Sequence, residues 1–520
     1  MEQEQDKTPE AQLVAQRMEK LAALKEMGVS PYPYRFEVTH RSAEVLEGFE
    51  ALQESEQSVA LAGRLMVVRD HGKSAFADLR DGAGRIQIYV RKNVVGDEAF
   101  QMWKLLDIGD FVGVSGPVFL TRTGEKTVQV QSLELLSKSV RPLPVPKEET
   151  RDGKLLVHDA FSDKELRYRR RYLDLALNVD VQETFRKRTA VVKAIRRFLD
   201  DRGFLEVDTP VLQPLYGGAS ARPFVTHHNT LDMRLYLRIS NELYLKRLIV
   251  GGLERVYEFS RNFRNEGIDR THNPEFTVLE IYQAYADYTD IMALTEQLFA
   301  SVAESVTGSA KIVYQGKAID LTPPWPRLPL LDAIHEHAGI DAKGMSAGDL
   351  RAVCEQMGLE VEPGAEWGHL LDEIFEARVQ PKLIQPILIT DYPVELSPLA
   401  KRHRDAPELT ERFEPFIAGW EAGNAFSELN DPMDQRDRFE QQMGLRARGD
   451  DEAQVLDEDF VRALEYGMPP TGGLGFGVDR LVMLLTDAPS IRDVILFPHM
   501  RPEEGREEAA EGENGAVAEG

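Results

Sequence analysis

The chain has 520 residues, 42% of them hydrophobic and 29% charged, with a formal net charge of −25 and a single cysteine, Cys354. That length is too great for one ordinary core and predicts about two to four domains. One cysteine excludes an internal disulfide framework and argues against a cysteine-based zinc site, which suits a cytoplasmic protein; no apolar run approaches the roughly 20 residues of a membrane span, and the opening MEQEQDKTPEAQ is too polar and acidic for a signal peptide.

Residues 10–28 (EAQLVAQRMEKLAALKEMG) carry apolar positions at helical spacing and end at Gly28, a C-terminal cap signal. SPYPY then breaks the helix. From 59 to 137 the pattern changes to short strands, predicted near 59–68, 74–80, 84–91, 109–120 and 126–137, with turns at Asp81-Gly82, Gly109-Asp110 and Thr123-Gly124. Five short strands in this span predict a small barrel, for which the OB-fold is the common five-stranded case and a barrel without a ligand the plainer alternative.

Pleat parity places Leu61, Leu65 and Val67 inward and Arg64 outward, Ala75, Ala77 and Leu79 inward and Phe76 outward, and Ile86, Ile88 and Val90 inward and Gln87 outward. An outward Arg64, Phe76 and Gln87 together suit an unpaired base, which needs a ring to stack on and polar groups for its edge. Acidity of the whole chain argues against nucleic acid, yet residues 59–142 carry twelve Lys or Arg against nine Asp or Glu, a local balance of +3.

RPLPVPKEE (141–149) reads as a semi-rigid linker. Beyond it QETFRKRTAVVKAIRRFLDDRGF predicts an amphipathic helix ending at Gly203, and FLEVDTPVL a strand with Pro210 inside it, which implies an edge or a special contact. Strands and helices are mixed from there to 498, as in one large α+β domain. Residues 307–385 hold helical stretches and prolines without legible chemistry and read as an insertion; the acidic, low-complexity run from 501 to 520 reads as a disordered tail. The adjacent His227 and His228 point to opposite faces of a strand and read as structural rather than as a metal pair.

The most unusual stretch is RNFRNEGIDRTHNPEFTVLEIY (261–282), with its upstream RVYEFS. Period-two spacing puts Tyr257, Phe259 and Phe263 on one face of the first strand, with Glu258, Ser260, Asn262 and Arg264 on the other. On the second, Leu279 and Ile281 share a face, opposite Phe276, Glu280 and Tyr282. Such a hairpin buries one face and presents Arg for an anion, Phe for a flat ring, and Glu and Tyr for a cation; a structural ion-pair hairpin is the alternative. Anion, ring and cation together describe a nucleotide beside an amino acid.

Here the sequence resembles the class II aminoacyl-tRNA synthetases. RNFRNEG…HNPEFT is similar to their motif 2, GFLEVDTPVL to motif 1 and GGLGFGVDRLVMLL (472–485) to motif 3. The glycines of 472–477 fit neither a phosphate-binding P-loop nor a dinucleotide fingerprint. An N-terminal OB domain points to the subgroup for aspartate, asparagine and lysine. GGASARPFVTHHN (217–229), RISNELYLKRL (238–248), ELSPLAKRH (395–403) and GNAFSELNDP (423–432) resemble its lysine-specific branch of bacterial type.

The resemblance implies an α+β chain: a helical extension over 1–55, an OB-fold anticodon domain over 56–140, a linker over 141–158, and a catalytic domain over 159–500 built on an antiparallel sheet flanked by helices. It implies activation of L-lysine with ATP and transfer to tRNA(Lys), with Mg²⁺, in a homodimer formed around motif 1. By the same resemblance Arg264 bridges the amino-acid carboxylate and the α-phosphate, Phe276 and Arg480 clamp the adenine, and Glu266 and His272 belong to the ATP loop, a loop-stabilising role for His272 being the alternative. Glu414 and Glu421 match the metal-holding carboxylates, although their spacing alone fits a solvated helix face. Asn424 is expected near the amino-acid carboxylate, Gly218 and Glu242 near the α-amino group, and Tyr282, Glu428 and Glu280 at the ε-ammonium. Arg64, Phe76 and Gln87 would take the anticodon; Arg270 and Thr271 receive no role. An aspartate- or asparagine-specific enzyme, a protein-lysylating paralogue and an inactive binding module are the competing readings, disfavoured respectively by Glu428 with Tyr282, by the barrel, and by the intact Arg264, Glu414, Glu421 and Arg480.

Overall fold

The computed structural model describes residues 8–144, 147–151, 154–158, 161–362, 364–448 and 452–503; the predicted tail lies almost wholly outside them. The chain divides into two compact units, Met1–Asp163 and Lys164–Gly520.

In the first unit Val59–Asp70, Ser74–Arg80, Arg85–Arg91, Phe111–Gly116, Val118–Leu120, Lys126–Val130 and Ser132–Ser137 form one barrel-like sheet. Two of the five predicted strands are each bent into two, the first where Pro117 cannot donate to the ladder. The inward residues Leu61, Leu65, Ala75, Leu79, Ile86, Ile88 and Val90 form its core. Val67 departs from the expectation. A bulge between Leu65 and Val67 turns Met66 inward and reverses parity beyond it. Lys92–Val95 and Asp97–Lys104 are helical, and the latter delivers Phe100, Met102 and Trp103 to the same core.

The N-terminal helix is Pro9–Glu26, followed by Gly28 at φ +77°. It packs on the barrel: Leu24 is in the barrel core, and the Arg17 guanidinium donates to the Ile108, Ser139 and Arg141 carbonyls at 2.9–3.0 Å. Within the predicted linker, Lys147–Arg151 and Lys154–His158 pair as a short hairpin.

The second unit is built on a nine-stranded sheet. Arg255–Phe263, Glu275–Ala284, Thr471–Gly477, Asn424–Ser427 and Arg412–Ile417 run antiparallel in that spatial order. Leu205–Glu206 extends one end in parallel, and Ile387–Thr390 and Arg327–Pro329 extend the other. The predicted strand FLEVDTPVL is in fact two short pairings, with Pro210 in neither, and Leu212–Gln213 joins a separate three-stranded sheet. One face of the large sheet, carrying Tyr257, Leu279, Ile281, Leu474 and Phe476, is buried under the helices Val179–Asp200, Tyr288–Thr307 and Val478–Thr486.

The other face differs from expectation. Glu258, Ser260, Asn262, Glu280 and Tyr282 are not presented to solvent but are themselves buried. The helix Glu242–Val250 lies over part of this face, packing Leu243, Leu245 and Ile249 with Val256 and Tyr282. Burial of so many polar groups requires internal partners, and the Arg238 guanidinium donates to Glu258 at 2.6 Å.

Only part of 307–385 is a separate addition. Lys311–Tyr314 and Lys317–Asp320 pack Ile312 and Ile319 into the main core. The helices Leu330–Ala338, Ala347–Met357 and Trp367–Arg378 form a cluster of their own around Leu350, Cys354, Leu371 and Phe375.

Candidate active site

The polar face of the sheet floors a cavity of about 480 Å³. Strand pairing aligns its rows: Glu258, Glu280, Gly475 and Asn424 lie side by side across four strands, and Val256, Tyr282, Gly473 and Phe426 make the next row. The motif 3 glycines therefore have a steric reason. A Cβ at Gly473 would meet Glu428 Oε1 at 2.0 Å, and one at Gly475 would meet Glu280 Oε1 at 2.9 Å. Gly218 has φ +82°, and its Cβ would press on Ser240 and Glu242 at 3.0 and 3.2 Å.

The cavity brings together Gly218, Glu242, Arg264, Glu266, His272, Phe276, Glu280, Tyr282, Glu414, Glu421, Asn424, Glu428 and Arg480. At one end three carboxylates converge. Glu280 and Glu428 are buried, Tyr282 Oη donates to Glu280 at 3.1 Å, and Glu242 opens the helix Glu242–Val250, where the helix dipole favours a negative charge. Desolvation first, and then Glu242, pushes Glu280 up to about 8. Burial likewise raises Glu428, against the pull of Lys246, and keeps the Tyr282 phenol protonated. Such a cluster is poised for cations.

Toward the middle, the Arg264 guanidinium sits 5.1 Å from the Phe276 ring, and its Nε has no hydrogen-bond partner. Desolvation lowers its pKa, with Glu266 and Glu421 opposing. A half-buried guanidinium with an unpaired Nε is ready to receive an oxyanion. The Arg480 guanidinium donates to the Glu421 carbonyl at 2.8 Å and to its carboxylate at 3.3 Å, which fixes the head group at the rim. His272 is exposed and pairs with Asp269 at 2.7 Å, so its observed contact is within its own loop.

Glu414 and Glu421 lie on the strands Arg412–Ile417 and Trp420–Glu421, not on a helix. Glu414 is pushed up to about 7 by desolvation, with Arg412 opposing and Glu421 and Asp372 adding to the rise. Repulsion of this kind is what a cation relieves. Among the described residues no group of three or more His, Cys, Asp or Glu is arranged to hold a metal. Two carboxylates are a donor set that suits an ion arriving with most of its oxygen ligands.

Sequence reasoning missed three side chains. Arg412, on the same strand face as Glu414, donates to Asn424 at 3.1 Å and is ion-paired with Glu414. Tyr392 donates to Glu414 at 2.9 Å. Lys246, four residues after Glu242 on one helix, touches both Glu242 and Glu428. Its i, i+4 spacing was the available signal; Arg412 and Tyr392 gave none, being distant in sequence from what they serve or on an unread strand. Asp372 and Glu376, on the helix Trp367–Arg378, line a neighbouring cavity that shares Glu414, Glu421 and Arg480, so the added helices do carry charge to the site.

On the barrel, Phe76 and Gln87 share an outer face, with Tyr89 between them: the Phe76 and Tyr89 rings stack at 4.3 Å and 17°. The Gln87 side-chain amide oxygen accepts from the Thr127 hydroxyl at 2.8 Å. Arg64 does not join them. Its guanidinium donates to the Gly109 carbonyl at 3.1 Å and lies 4.2 Å from the Phe111 ring, while Arg69 is the residue paired with Phe76. The bulge at Met66 reverses parity beyond it, which puts Arg69 opposite Phe76 and leaves Arg64, still outward, opposite Arg80.

A class of protein follows from this combination of a glycine-floored antiparallel sheet, a half-buried arginine with an unpaired Nε beside a ring, and a separate barrel. A family model for "tRNA synthetases class II (D, K and N)" matches residues 163–501, and one for "OB-fold nucleic acid binding domain" matches 59–136. The chain belongs to the class II tRNA synthetases of the D, K and N group. Among its relatives, the lysine–tRNA ligase of Moorella thermoacetica is 57% identical over 95% of this chain and 99% of that protein. Those of Carboxydothermus hydrogenoformans and Pelotomaculum thermopropionicum are 55% and 56% identical, over 94% and 95% of this chain and 98% and 96% of theirs. Among the described residues no helix is long and apolar enough to cross a membrane.

Proposed function

We propose that the chain is a lysine–tRNA ligase, which joins L-lysine to ATP as lysyl-adenylate and then passes the lysyl group to the 3′ end of tRNA(Lys). The observation that carries this reading is the juxtaposition in one cavity of a three-carboxylate end, Glu242, Glu280 and Glu428, with the unsatisfied guanidinium of Arg264. An amino acid with a cationic side chain spans the two. A pocket for aspartate would need cations where these carboxylates stand, because an unmatched buried charge costs several kcal/mol, roughly.

In this reading Glu242 receives the α-ammonium beside Gly218, and Glu428 and Tyr282 receive the ε-ammonium, with Glu280 beneath. Asn424, oriented by Arg412, faces the carboxylate. Arg264 holds that carboxylate and the α-phosphate together, so the attacking oxygen and the phosphorus are positioned before reaction and the charge that develops is met by a fixed cation. Adenine lies between Phe276 and Arg480, with Glu266 and His272 on the loop around ATP. Mg²⁺ carried in with ATP would be held by Glu414 and Glu421 and would neutralise the departing pyrophosphate. Attack of the lysine carboxylate on the α-phosphorus forms the adenylate; the tRNA terminal hydroxyl then attacks the lysyl carbonyl and AMP leaves.

On the barrel, Phe76 and Gln87 are proposed to take an anticodon base. A homodimer through the motif 1 region is supported by Leu205, Val211, Leu212, Leu215 and Val225, which are all exposed in the single chain. Light scattering at micromolar concentration tests it: a monomer mass contradicts it. The activity is tested by charging unfractionated tRNA with labelled lysine, aspartate or asparagine and sequencing what is charged. Lysine on lysine-accepting tRNA alone is the expected result, and charging with either other amino acid overturns the reading.

A further inference from the structure

Lys246 is wholly buried, yet it lies behind the cavity wall rather than in the cavity. Its Nζ is 2.5 Å from Glu242 Oε1 and in ion-pair contact with Glu428 Oε2, and the rings of Phe426 and Phe460 stand 5.3 and 6.0 Å away. The opposite oxygen of Glu428, Oε1, has no hydrogen-bond partner and faces the space that Gly473 leaves open. Glu258, behind Glu280, is already matched by Arg238 at 2.6 Å.

The charges around the cavity's acidic end can therefore be counted. With all three carboxylates ionised, as a bound cation favours, Glu242, Glu280 and Glu428 oppose Lys246 and Arg264, which leaves one negative charge. Lysine, with two ammonium groups and one carboxylate, supplies one positive charge. Without Lys246 the occupied pocket would retain an unmatched buried charge, a state proteins avoid by taking up a proton.

We propose that Lys246 is a positioning residue for the amino acid: its ammonium holds one oxygen each of Glu242 and Glu428 and leaves their other oxygens for the α- and ε-ammonium groups of the ligand. The proposal rests on the lysine-pocket reading above. The titratable and charged groups that face Lys246 are Glu242 on its own helix, Glu428 after the strand Asn424–Ser427, and Glu280 and Tyr282 on the strand Glu275–Ala284, with Glu258 beyond them. Burial works against the Lys246 ammonium, but Glu242 and Glu428 outweigh it and raise its pKa.

The test is lysine-dependent ATP–pyrophosphate exchange by the full chain from pH 6 to 9, comparing Lys246→Met and Lys246→Arg with the parent. Lys246→Met should raise the lysine KM at least thirtyfold at neutral pH and leave the ATP KM within twofold. Its lysine KM should also go on falling to higher pH than the parent's, because a carboxylate that Lys246 no longer pairs keeps its proton in the occupied pocket until that proton is titrated off. Lys246→Arg, which keeps the charge, should keep the parental pH profile. Should Lys246→Met fail to fold, Lys246→Gln, which can bridge the carboxylates without charge, must show the same displacement to higher pH. A parental lysine KM or pH profile in the neutral variants overturns the proposal, as does an equal loss of ATP affinity. Failure of the parent itself to exchange with lysine would overturn the pocket reading instead.

Discussion

Arg264 and Glu280 are the residues whose chemistry is most exposed to test. Arg264→Ala removes a half-buried cation whose worth grows as charge moves in the transition state, and loss of such a contact costs roughly 2–5 kcal/mol. Lysine-dependent pyrophosphate exchange should fall at least about thirtyfold; a loss smaller than tenfold contradicts the role given to it. Glu280 makes a prediction about pH. Its carboxyl in the empty pocket is pushed to about 8, by desolvation first and then by Glu242. A ligand ammonium favours the ionised form and so lowers that pKa on binding. Below pH 8 lysine must therefore expel a proton to bind, and its affinity should rise with pH from 6 to 8 and then level. Glu280→Gln should flatten the Glu280 part of this rise, and an unchanged slope in that variant rules the mechanism out.

At the scale of elements, the strand Thr471–Gly477 is shaped by what sits above it. Gly475→Ala would thrust a Cβ to 2.9 Å from the Glu280 carboxylate, so lysine KM should rise well over tenfold while melting temperature changes little. Parental kinetics would mean that the strand yields. On the barrel, Phe76→Ala should weaken tRNA charging about ten- to a hundredfold, since stacking is worth about 1–3 kcal/mol per base. It should leave pyrophosphate exchange untouched. Equal losses in both assays would make Phe76 a packing residue.

The hairpin 255–284 shows how much of this was legible. Its two-face pattern follows from the pleat, and the core side, Tyr257, Leu279 and Ile281, is as spacing predicts. Spacing does not tell what covers the polar side, because the helix Glu242–Val250 is brought over it by tertiary packing. That Arg69 rather than Arg64 stands opposite Phe76 is illegible for a related reason. Leu65, Met66, Val67 and Val68 are all apolar, so a bulge among them leaves no mark in the residue types. Glu414 and Glu421 were assigned through family resemblance, while their seven-residue spacing suggested a helix that the structure replaces with two strands.

Taken as a whole, the molecule separates its charge by place. The chain carries −25, yet the barrel segment is locally positive, so net charge is a poor guide to a partner that meets only one surface. Its two units have separate cores and are assigned separate tasks, base contact on one and amino-acid activation on the other. The claim that joins residue, element and molecule is that a buried acidic pocket selects lysine for activation. ATP–pyrophosphate exchange by the full chain with a panel of lysine, arginine, aspartate, asparagine and glutamate tests it most directly. Exchange with lysine exceeding that with each of the others by at least a hundredfold is the predicted result; exchange driven by aspartate or asparagine, or by no amino acid in the panel, would contradict it.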